Sequence, residues 1–400
     1  MSTGTEDRLQ RSTRIQGQNR ITAYAMAVVP PMPFMLNKDT TSQLRVPLNI
    51  DGNGLILRFS NQFGKHDGII DHAAAAVILP DERNKEPVFQ DVTYRGDQRI
   101  VIPAGMEIEA DPIMADIKPG MEIIVQVYCK EEVQTICGVG YLTRILAQQG
   151  KDQAGALSDL KTYDEQWEET FNQAQIQNIS YLKAIDVIRE SGAAGHVVLS
   201  IFGDSITAQN RWVWPLTQRL YSRYPGRISV LNFGIGGNRL LTDAEENRKM
   251  FGSAGVKRIR WDGLREYGIT HMIFALGGND IGMGSLDDSG DFLPGAEEYR
   301  EGCRQIVSEA HDHGIVVYAL SIYPGCWFFQ DPQAGEKVRK LYRKVQSEEF
   351  DGFIDVEDVL RGGECCYKDG YGYGDNCHLR VSGGEAVAEV AECFLKKILS

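Results

Sequence analysis

The sequence lacks the long apolar segments that would take it into or across a membrane. It contains no run of about 18 apolar residues, which a membrane-spanning helix needs. Its first twenty residues, MSTGTEDRLQRSTRIQGQNR, hold no apolar stretch of the roughly 7–15 residues typical of a secretory signal peptide. We therefore expect a cytoplasmic protein that does not act at a membrane.

Positive charge is also in short supply. The chain has 42 Lys and Arg against 55 Asp and Glu, a formal net charge of −13. The summed field of such a surface repels the phosphate backbones of nucleic acids and acidic lipid surfaces. Nucleic acid is thereby excluded as an expected partner, and small or uncharged ligands are favoured.

Paired CxxC spacing is absent, although the chain contains eight cysteines. Without that spacing or a secretory context, we expect reduced thiols rather than disulfides or a zinc site, and no metal or other cofactor. The adjacent Cys365 and Cys366 leave a redox or metal role as an alternative. Against it, vicinal cysteines rarely form a good disulfide, and no histidine lies at ligand spacing.

The first part of the chain has the alternation of β-strands. A length of 400 residues indicates two domains. The segments QLRVPLNI (43–50) and LILRFSN (55–61) alternate apolar and polar residues around DGNG (51–54), which predicts a β-hairpin. Further strands follow without helical periodicity to about residue 145. This pattern predicts a β-sandwich of jelly-roll type, either a carbohydrate-binding module or a packing partner.

A polar segment at 150–190 reads as a connector between the two parts. Within it, YLKAIDVI (181–188) has the composition of a strand that returns to the first domain. We therefore predict an N-terminal domain with connector over residues 1–190 and a second domain over residues 191–400.

From residue 196 onward, apolar runs alternate with amphipathic stretches. This alternation predicts a five-stranded doubly wound α/β domain, in which ligands bind beyond the carboxyl ends of the parallel strands. The predicted strands are HVVLSIF (196–202), ISVLNF (228–233), HMIFAL (271–276), IVVYALSIY (315–323) and FIDV (353–356). The predicted helices are WPLTQRLYSRY (214–224), AEEYREGCRQIVSEAHDHG (296–314), GEKVRKLYRKVQSEEF (335–350) and GGEAVAEVAECFLKKIL (383–399).

Polar residues follow three of these strands. GDSIT brings Ser205 to a strand-to-helix turn, where it is either a helix cap or a nucleophile. NFGIGGNRLL (232–241) brings glycines that expose backbone N–H groups or simply form a turn. LGGND (276–280) presents Asn279, either a donor to an oxyanion or a turn residue.

The segment GDNCHLRVSGG (374–384) decides among these alternatives because it supplies Asp375 and His378 three residues apart. A serine nucleophile needs a base that takes its proton, and the base needs an acceptor that fixes its tautomer. One loop before the last predicted helix carries both. Ser205, His378 and Asp375 are therefore the predicted catalytic residues.

Four motifs in order, FGDSIT, NFGIGGN, GGND and DNCH, resemble the blocks of the SGNH hydrolases, also called GDSL esterases and lipases. The resemblance implies a three-layer α/β/α, flavodoxin-like domain in which Ser205 is the nucleophile, with His378 as base and Asp375 behind it. It also implies an oxyanion hole formed by the Ser205 N–H, Gly237 and Asn279.

The N-terminal segments LILRFSNQFG (55–64) and IPAGMEIEADPI (102–113) look like the β-rich domain that precedes some bacterial SGNH hydrolases, including a group associated with plant cell-wall polysaccharides. Many relatives of that group have a proline after the catalytic histidine. Here Leu379 and Arg380 follow His378, so we expect a different shape for the rim of the site.

The expected function is deacetylation of an acetylated carbohydrate by a Ser-His-Asp acyl-enzyme mechanism. The predicted substrate contacts are Trp212, Trp214, Arg239 and Trp327. One alternative is a lipase, lysophospholipase or arylesterase. The alternative of another class is a non-catalytic glycan-binding protein on the same fold. The acyl chain length, the sugar and the oligomeric state stay open.

Overall fold

The computed structural model describes residues 19–31, 38–79, 86–137, 145–156, 178–190, 195–284, 295–325 and 332–399. The first part of the chain is built from strands. They are β1 Arg20–Ala25, β2 Val28–Val29, β3 Thr40–Pro47, β4 Gly52–Ser60, β5 Gly68–Ile70, β6 His72–Ile78, β7 Gln90–Asp91, β8 Ile100–Ile102, β9 Glu107–Glu109, β10 Ile113–Ile117, β11 Glu122–Cys129, β12 Ile136–Cys137, β13 Ile145–Gln149, β14 Ile179–Ser180 and β15 Leu182–Ile188.

The second part alternates strands and helices, with one 3₁₀ helix at Glu246–Phe251. In chain order the other elements are β16 Val197–Gly203, α1 Ser205–Ala208, α2 Val213–Arg223, β17 Ile228–Gly234, α3 Gly255–Arg258, β18 Ile269–Ala275, α4 Gly278–Gly284, α5 Ala296–Asp312, β19 Val316–Leu320, α6 Pro332–Glu349, β20 Gly352–Ile354, α7 Glu357–Leu360, β21 Arg361–Gly363, β22 Cys366–Tyr367 and α8 Val381–Leu399.

The N-terminal strands pair antiparallel in two larger sheets. One has the order β1-β15-β4-β10 with β9 beside β4, and the other has the order β13-β3-β11-β6-β7. In the second sheet the whole of β11 pairs with β3, so that Val125 lies opposite Leu44. The expectation of a β-rich N-terminal region is confirmed. The jelly-roll sandwich and the boundary at residue 190 stay predictions.

The predicted hairpin over residues 43–61 is wrong. Its two strands do not pair with each other, because β3 lies in one sheet and β4 in the other. Between them the chain turns a corner that is tied to another loop: the Leu48 N–H donates to Met121 O at 2.7 Å, and Leu48 O accepts from the Gly120 N–H at 2.8 Å. The turn residues at 51–54 therefore start a new sheet instead of reversing the chain within one.

The segment predicted to return a strand to the first region does so. Strand β15 pairs antiparallel with both β1 and β4, with Ile185 opposite Tyr24 on one side and Leu57 on the other. Its side chains are almost all buried, which fits its position inside the sheet. The strand therefore ties the end of the N-terminal region to its beginning.

The C-terminal sheet is parallel, as predicted, and its order is β17-β16-β18-β19-β20. This is a doubly wound, flavodoxin-like order in which the chain moves from β16 to one side and then crosses to the other. The switch point therefore lies between the carboxyl ends of β16 and β18. Loops that follow these two strands meet at a crevice.

Helices cover both faces of this sheet, which confirms the three-layer arrangement. Helices α2 and α8 pack together on one face, and α5 and α6 pack together on the other. Each helix buries an apolar stripe, such as Leu216 and Leu220 of α2 or Ile306 and Ala310 of α5. No helix in the described ranges is long and apolar enough to cross a lipid bilayer.

The two regions share a contact along β1 and β17. Met26 forms a parallel bridge with Asn232, and the Asn49 side chain donates to Ile228 O at 2.9 Å. One continuous cluster of buried apolar residues includes members from both regions. The N-terminal region therefore packs directly against the parallel sheet that carries the polar loops.

Candidate active site

Strand β16 ends at Gly203 and delivers Ser205 as the first residue of the short helix α1. Asp204 caps this helix, because its Oδ1 accepts from the Ile206 N–H at 3.0 Å. The N–H groups of the first helical residues have no acceptor within their own helix. The Ser205 N–H is therefore available to a ligand.

His378 lies beside Ser205, with Nε2 and Oγ 3.0 Å apart. On the other side of the ring, Nδ1 lies 2.6 Å from Asp375 Oδ2. The second oxygen of Asp375 accepts from the N–H groups of Cys377 and His378 at 3.0 and 3.1 Å. The structure thus joins the three predicted residues in one hydrogen-bonded chain.

The pKa of Asp375 reflects this arrangement. Burial works to raise it, but the hydrogen bond from the His378 ring and those from two backbone N–H groups hold the pKa below the ordinary value of an aspartate. Asp375 is therefore ionised at neutral pH. An ionised carboxylate accepts a hydrogen bond from Nδ1–H and leaves Nε2 of a neutral ring as the acceptor for Ser205 Oγ–H.

The loop that carries Asp375 and His378 is held by aromatic residues. The Tyr373 ring lies between two guanidinium groups, 4.6 Å from that of Arg211 and 5.0 Å from that of Arg380. The Tyr373 N–H donates to His378 O at 2.9 Å, and the Tyr367 hydroxyl donates to Cys377 O at 2.7 Å. Both ends of this short loop are therefore fixed.

The loop after β17 requires glycine at position 237. Gly237 has φ +72, and a Cβ there would lie 2.5 Å from the ring of Phe251. No acceptor lies within hydrogen-bond reach of its N–H among the residues that the structure describes. Position 237 can therefore present a backbone donor where a larger residue would push the loop away.

Residues after β18 hold the same loop. The Asn279 side chain donates to Asn238 O at 3.0 Å. Its neighbour Asp280 accepts from the Leu240 and Leu241 N–H groups at 2.8 and 2.9 Å. The loops after β17 and β18 are therefore fixed to each other by direct hydrogen bonds.

A cavity of about 50 Å³ opens beside Ser205. Its walls are largely apolar, and its polar groups include Ser205, Asn279 and Tyr323. Four of the apolar lining residues come from the ends of β18 and β19 and from α4, namely Leu276, Ile281, Leu320 and Ile322. The cavity has the polarity to take an acyl group next to a serine.

The three predicted substrate contacts that the structure describes do not line this cavity. The prediction for Trp212 as a stacking surface is wrong, because its side chain is fully buried in the core under α2 and α8. Trp214 lines a second cavity between the two regions, together with Tyr24 and Arg45. The Arg239 side chain donates to Asp243 O and to Glu245 Oε1 at 2.9 Å. Trp327 lies outside the described residues.

The sequence analysis missed several residues that position the site. Asn238 and Asp280 stand within the quoted motifs, next to residues that were chosen, so the motifs themselves carried that signal. Arg258 contacts the ends of β16 and β17, yet it stands in a segment, GVKRIRWDG, without any recognisable motif. Among the residues that the structure describes, His, Cys, Asp and Glu form no group of three that could hold a metal ion.

Residues 201–386 match the model of the GDSL-like Lipase/Acylhydrolase family. The C-terminal region is therefore a domain of ester hydrolases. More particularly, it is a GDSL-like lipase/acylhydrolase domain, in agreement with the SGNH motifs in the sequence. The N-terminal region lies outside this match.

Solved structures similar to the chain cover about half of it. One is a carbohydrate acetylesterase family member from Sinorhizobium meliloti, with 19% identity, a TM-score of 0.39, and coverage of 51% of this chain and 99% of that one. A variant of Axe2, an acetyl xylan esterase from Geobacillus stearothermophilus, has 21% identity, a TM-score of 0.38, and coverage of 52% and 96%.

A third similar structure is the esterase EstA from Pseudoalteromonas sp., with 18% identity, a TM-score of 0.38, and coverage of 50% of this chain and 98% of that one. No curated protein matches the chain. Similarity at this level says nothing about which ester this chain acts on.

Proposed function

We propose that this protein is a serine esterase that removes small acyl groups, acetyl in the first place, from carbohydrates. The observation that carries the proposal is the chain from Ser205 Oγ through the His378 ring to Asp375, with contacts of 3.0 and 2.6 Å, at the edge of a small apolar cavity. Esterase activity is what the family match supports. The acyl group and the alcohol are our proposal.

In the first step, His378 Nε2 takes the proton from Ser205 as Oγ attacks the ester carbonyl. The resulting oxyanion accepts hydrogen bonds from the Ser205 N–H, the Gly237 N–H and the Asn279 side chain. Asp375 keeps the proton of the histidine on Nδ1 and stabilises the imidazolium. His378 then gives its proton to the departing alcohol, which leaves an acyl group on Ser205.

In the second step, a water molecule loses a proton to His378 and attacks the acyl carbonyl. The same three donors hold the second oxyanion, and its collapse releases the acid and returns the proton to Ser205. No step needs a metal ion or an organic cofactor. The charge that develops is stabilised by donors that are already in place.

The cavity supports an acyl group as the part of the substrate bound there, because its largely apolar wall adjoins both Ser205 and Asn279. The likeness of the N-terminal segments to the β-rich domain of polysaccharide-associated relatives supports a carbohydrate as the alcohol. The apolar walls at Leu276, Ile281 and Ile322 favour a second candidate, an esterase for longer acyl chains or aryl esters. Chain-length selectivity separates the two.

The test compares wild type with Ser205→Ala and, as a matched control, Ser229→Ala. Ser229 is buried at the start of β17, where its Oγ contacts His196. It lies at the amino ends of the strands, whereas Ser205 follows the carboxyl end of β16. Turnover of p-nitrophenyl acetate should fall roughly 10⁶-fold in Ser205→Ala. The control should keep the kcat of the wild type.

Substrate class is then measured as kcat/KM on acetylated oligosaccharides and on p-nitrophenyl esters of two, four and eight carbons. We expect acetyl esters to be the best substrates. A clear preference for the eight-carbon ester would replace the carbohydrate assignment by the second candidate. Wild-type turnover no greater than that of Ser205→Ala would contradict an esterase and leave a glycan-binding protein.

A further inference from the structure

The end of helix α3 carries a fully buried arginine directly under the strands that bear the site. Arg258 is 1% exposed. Its guanidinium stacks on the ring of Phe202, with 3.8 Å between the guanidinium carbon and the ring centre. Phe202 belongs to β16, three residues before Ser205. The charge is therefore placed beneath the strand that delivers the serine.

All three nitrogens of this guanidinium donate to the polar loops or the strand ends before them. Nη2 donates to Gly203 O at 2.9 Å, and Nη1 donates to Phe233 O at 3.1 Å. Nε donates to Asn238 Oδ1 at 2.8 Å. One planar group thus joins the carboxyl ends of β16 and β17 to the loop that follows β17.

The nearest carboxylate, that of Asp262, lies at a longer distance from the Arg258 guanidinium than its other acceptors. Arg258 Nη1 lies 3.5 Å from Asp262 Oδ2, whereas its three other acceptors are 2.8–3.1 Å away. The shorter contacts go to backbone carbonyls and an amide. This arginine is therefore mainly bound to the chain around the site, and its ion pair is secondary.

Asn238 connects Arg258 to the residues around the two other proposed oxyanion donors, Gly237 and Asn279. Its side-chain nitrogen donates to Phe251 O and Ser253 O, each at 2.8 Å. Its backbone oxygen accepts from Asn279 at 3.0 Å. Phe251 is the residue whose ring packs against Gly237. Arg258 therefore reaches every loop that presents a proposed oxyanion donor, either directly or through Asn238.

We propose that Arg258 is a positioning residue for ester hydrolysis, which sets the distance between Ser205 and the oxyanion donors at Gly237 and Asn279. The inference rests on the proposed function of this site. It requires a guanidinium, because its three acceptors lie in different directions around one plane. A lysine ammonium is a single point charge on a flexible stem and cannot hold all three at once.

Any buried arginine supports the fold, so the test needs an arginine with a similar setting away from the site. Arg20 provides it: its side chain is 3% exposed, it stacks on Tyr267 at 4.1 Å, and it pairs with Glu109. Arg20→Met should lower the melting temperature but keep the kcat of the wild type. Arg258→Met should lower both.

The experiment measures three quantities on the full chain for Arg258→Met, Arg258→Lys and Arg20→Met. They are the melting temperature, kcat and KM for p-nitrophenyl acetate, and the rate at which a fluorophosphonate labels Ser205. For Arg258→Met we expect kcat to fall about 10²-fold with KM nearly unchanged, since misplaced reacting groups cost about this much. Labelling should slow in parallel, and Arg258→Lys should lose less.

A kcat of Arg258→Met equal to that of Arg20→Met, at a temperature where both are folded, would overturn the role of Arg258. If Arg258→Met does not fold, the test uses Arg258→Lys. A kcat of Arg258→Lys equal to that of the wild type would then overturn the role of Arg258. Both outcomes can be told apart from failure of the proposed esterase function. If that function is wrong, the wild type itself shows no turnover above that of Ser205→Ala.

Discussion

The charged side chains around Arg58 and those in the loops around Ser205 are bound in different ways. Arg58 of the N-terminal region binds other charged side chains: its guanidinium donates to Asp186 at 2.9 Å and to Glu107 at 3.0 Å, and it also pairs with Glu266 of the C-terminal region. Lys183 joins the same group through Glu107 at 3.0 Å. Opposite charges there satisfy one another.

In the loops around Ser205, several charged side chains bind the main chain instead, whereas Arg339, which also lines the cavity, pairs with Glu336 and Glu357. Asp204, Asp280 and Asp375 accept from backbone N–H groups, and Arg258 donates to backbone carbonyls. A charge that binds the main chain fixes the course of a loop, whereas a charge that binds another charge fixes the packing of two strands. We therefore expect charge removal to affect activity in one region and stability in the other.

Asp375→Asn should have the largest effect, because it tests a charge bound to the main chain that also contacts the reacting histidine. The amide of asparagine donates toward Nδ1 and favours the wrong tautomer of His378, so kcat should fall about 10⁴-fold. The melting temperature should change little. The measurement is kcat for p-nitrophenyl acetate, alongside thermal unfolding.

The matched control is Asp355→Asn, which removes a carboxylate that pairs with Arg343 at the protein surface. Its kcat should equal that of the wild type. If Asp375→Asn kept wild-type activity, His378 would not depend on Asp375 for its tautomer, and the proposed mechanism would need another orienting group.

Much of the C-terminal fold could be predicted because its signals are local. Each apolar run that precedes a motif became a strand of the parallel sheet, and the four amphipathic stretches became the helices on its faces. Ser205, Asn279 and the loop of Asp375 and His378 were predictable as neighbours, since strand ends of one parallel sheet share an edge. These motifs can be recognised in the sequence without knowing how the side chains pack.

The features that could not be predicted from the sequence depend on contacts between residues far apart in the chain. The hairpin at 43–61 was wrong because the turn residues are the same whether a chain reverses within one sheet or crosses to another. Trp212 stands at the start of an amphipathic helix, and the sequence does not tell which face of its first turn meets the core. Arg258 looks like an ordinary surface charge until its neighbours in space are known.

Arg58→Met tests the other side of the comparison. It would leave Asp186 and Glu266, whose side chains are fully buried, without their main counter-charge. Breaking a buried ion pair in this way should lower the free energy of unfolding by about 3–5 kcal/mol. The kcat per folded molecule should stay that of the wild type. Urea unfolding and a kinetic assay on the same sample measure both quantities.

The control for this variant is Arg219→Met. Arg219 is 41% exposed and lies 3.4 Å from Glu392, so its loss should change the free energy of unfolding by no more than about 1 kcal/mol. A large fall of kcat in Arg58→Met would contradict the separation between the charges around Arg58 and those in the loops around Ser205. It would mean that the charged group under β4 and β15 also positions the site.

Asp204→Asn should have the smallest effect. It tests whether the negative charge of Asp204, next to the serine, lowers the stability of the folded protein. Burial, the largest cause, raises the pKa of Asp204 to about 6 from an ordinary value of 3.8. Between these two values the folded protein binds more protons than the unfolded chain, so rising pH lowers stability across this window. A shift of about two units corresponds to roughly 3 kcal/mol.

Asparagine keeps an oxygen that can accept from the Ile206 N–H but carries no charge. The free energy of unfolding of Asp204→Asn relative to wild type should therefore rise by roughly 2 kcal/mol between pH 4 and pH 7, as measured by urea unfolding. Burial also raises the pKa of Asp262 to about 6, but that group is present in both proteins and cancels in the difference. A difference that does not change with pH would show that the folded protein does not disfavour the Asp204 carboxylate. The cap of α1 would then stabilise that charge fully, as opposite charges do in the N-terminal region.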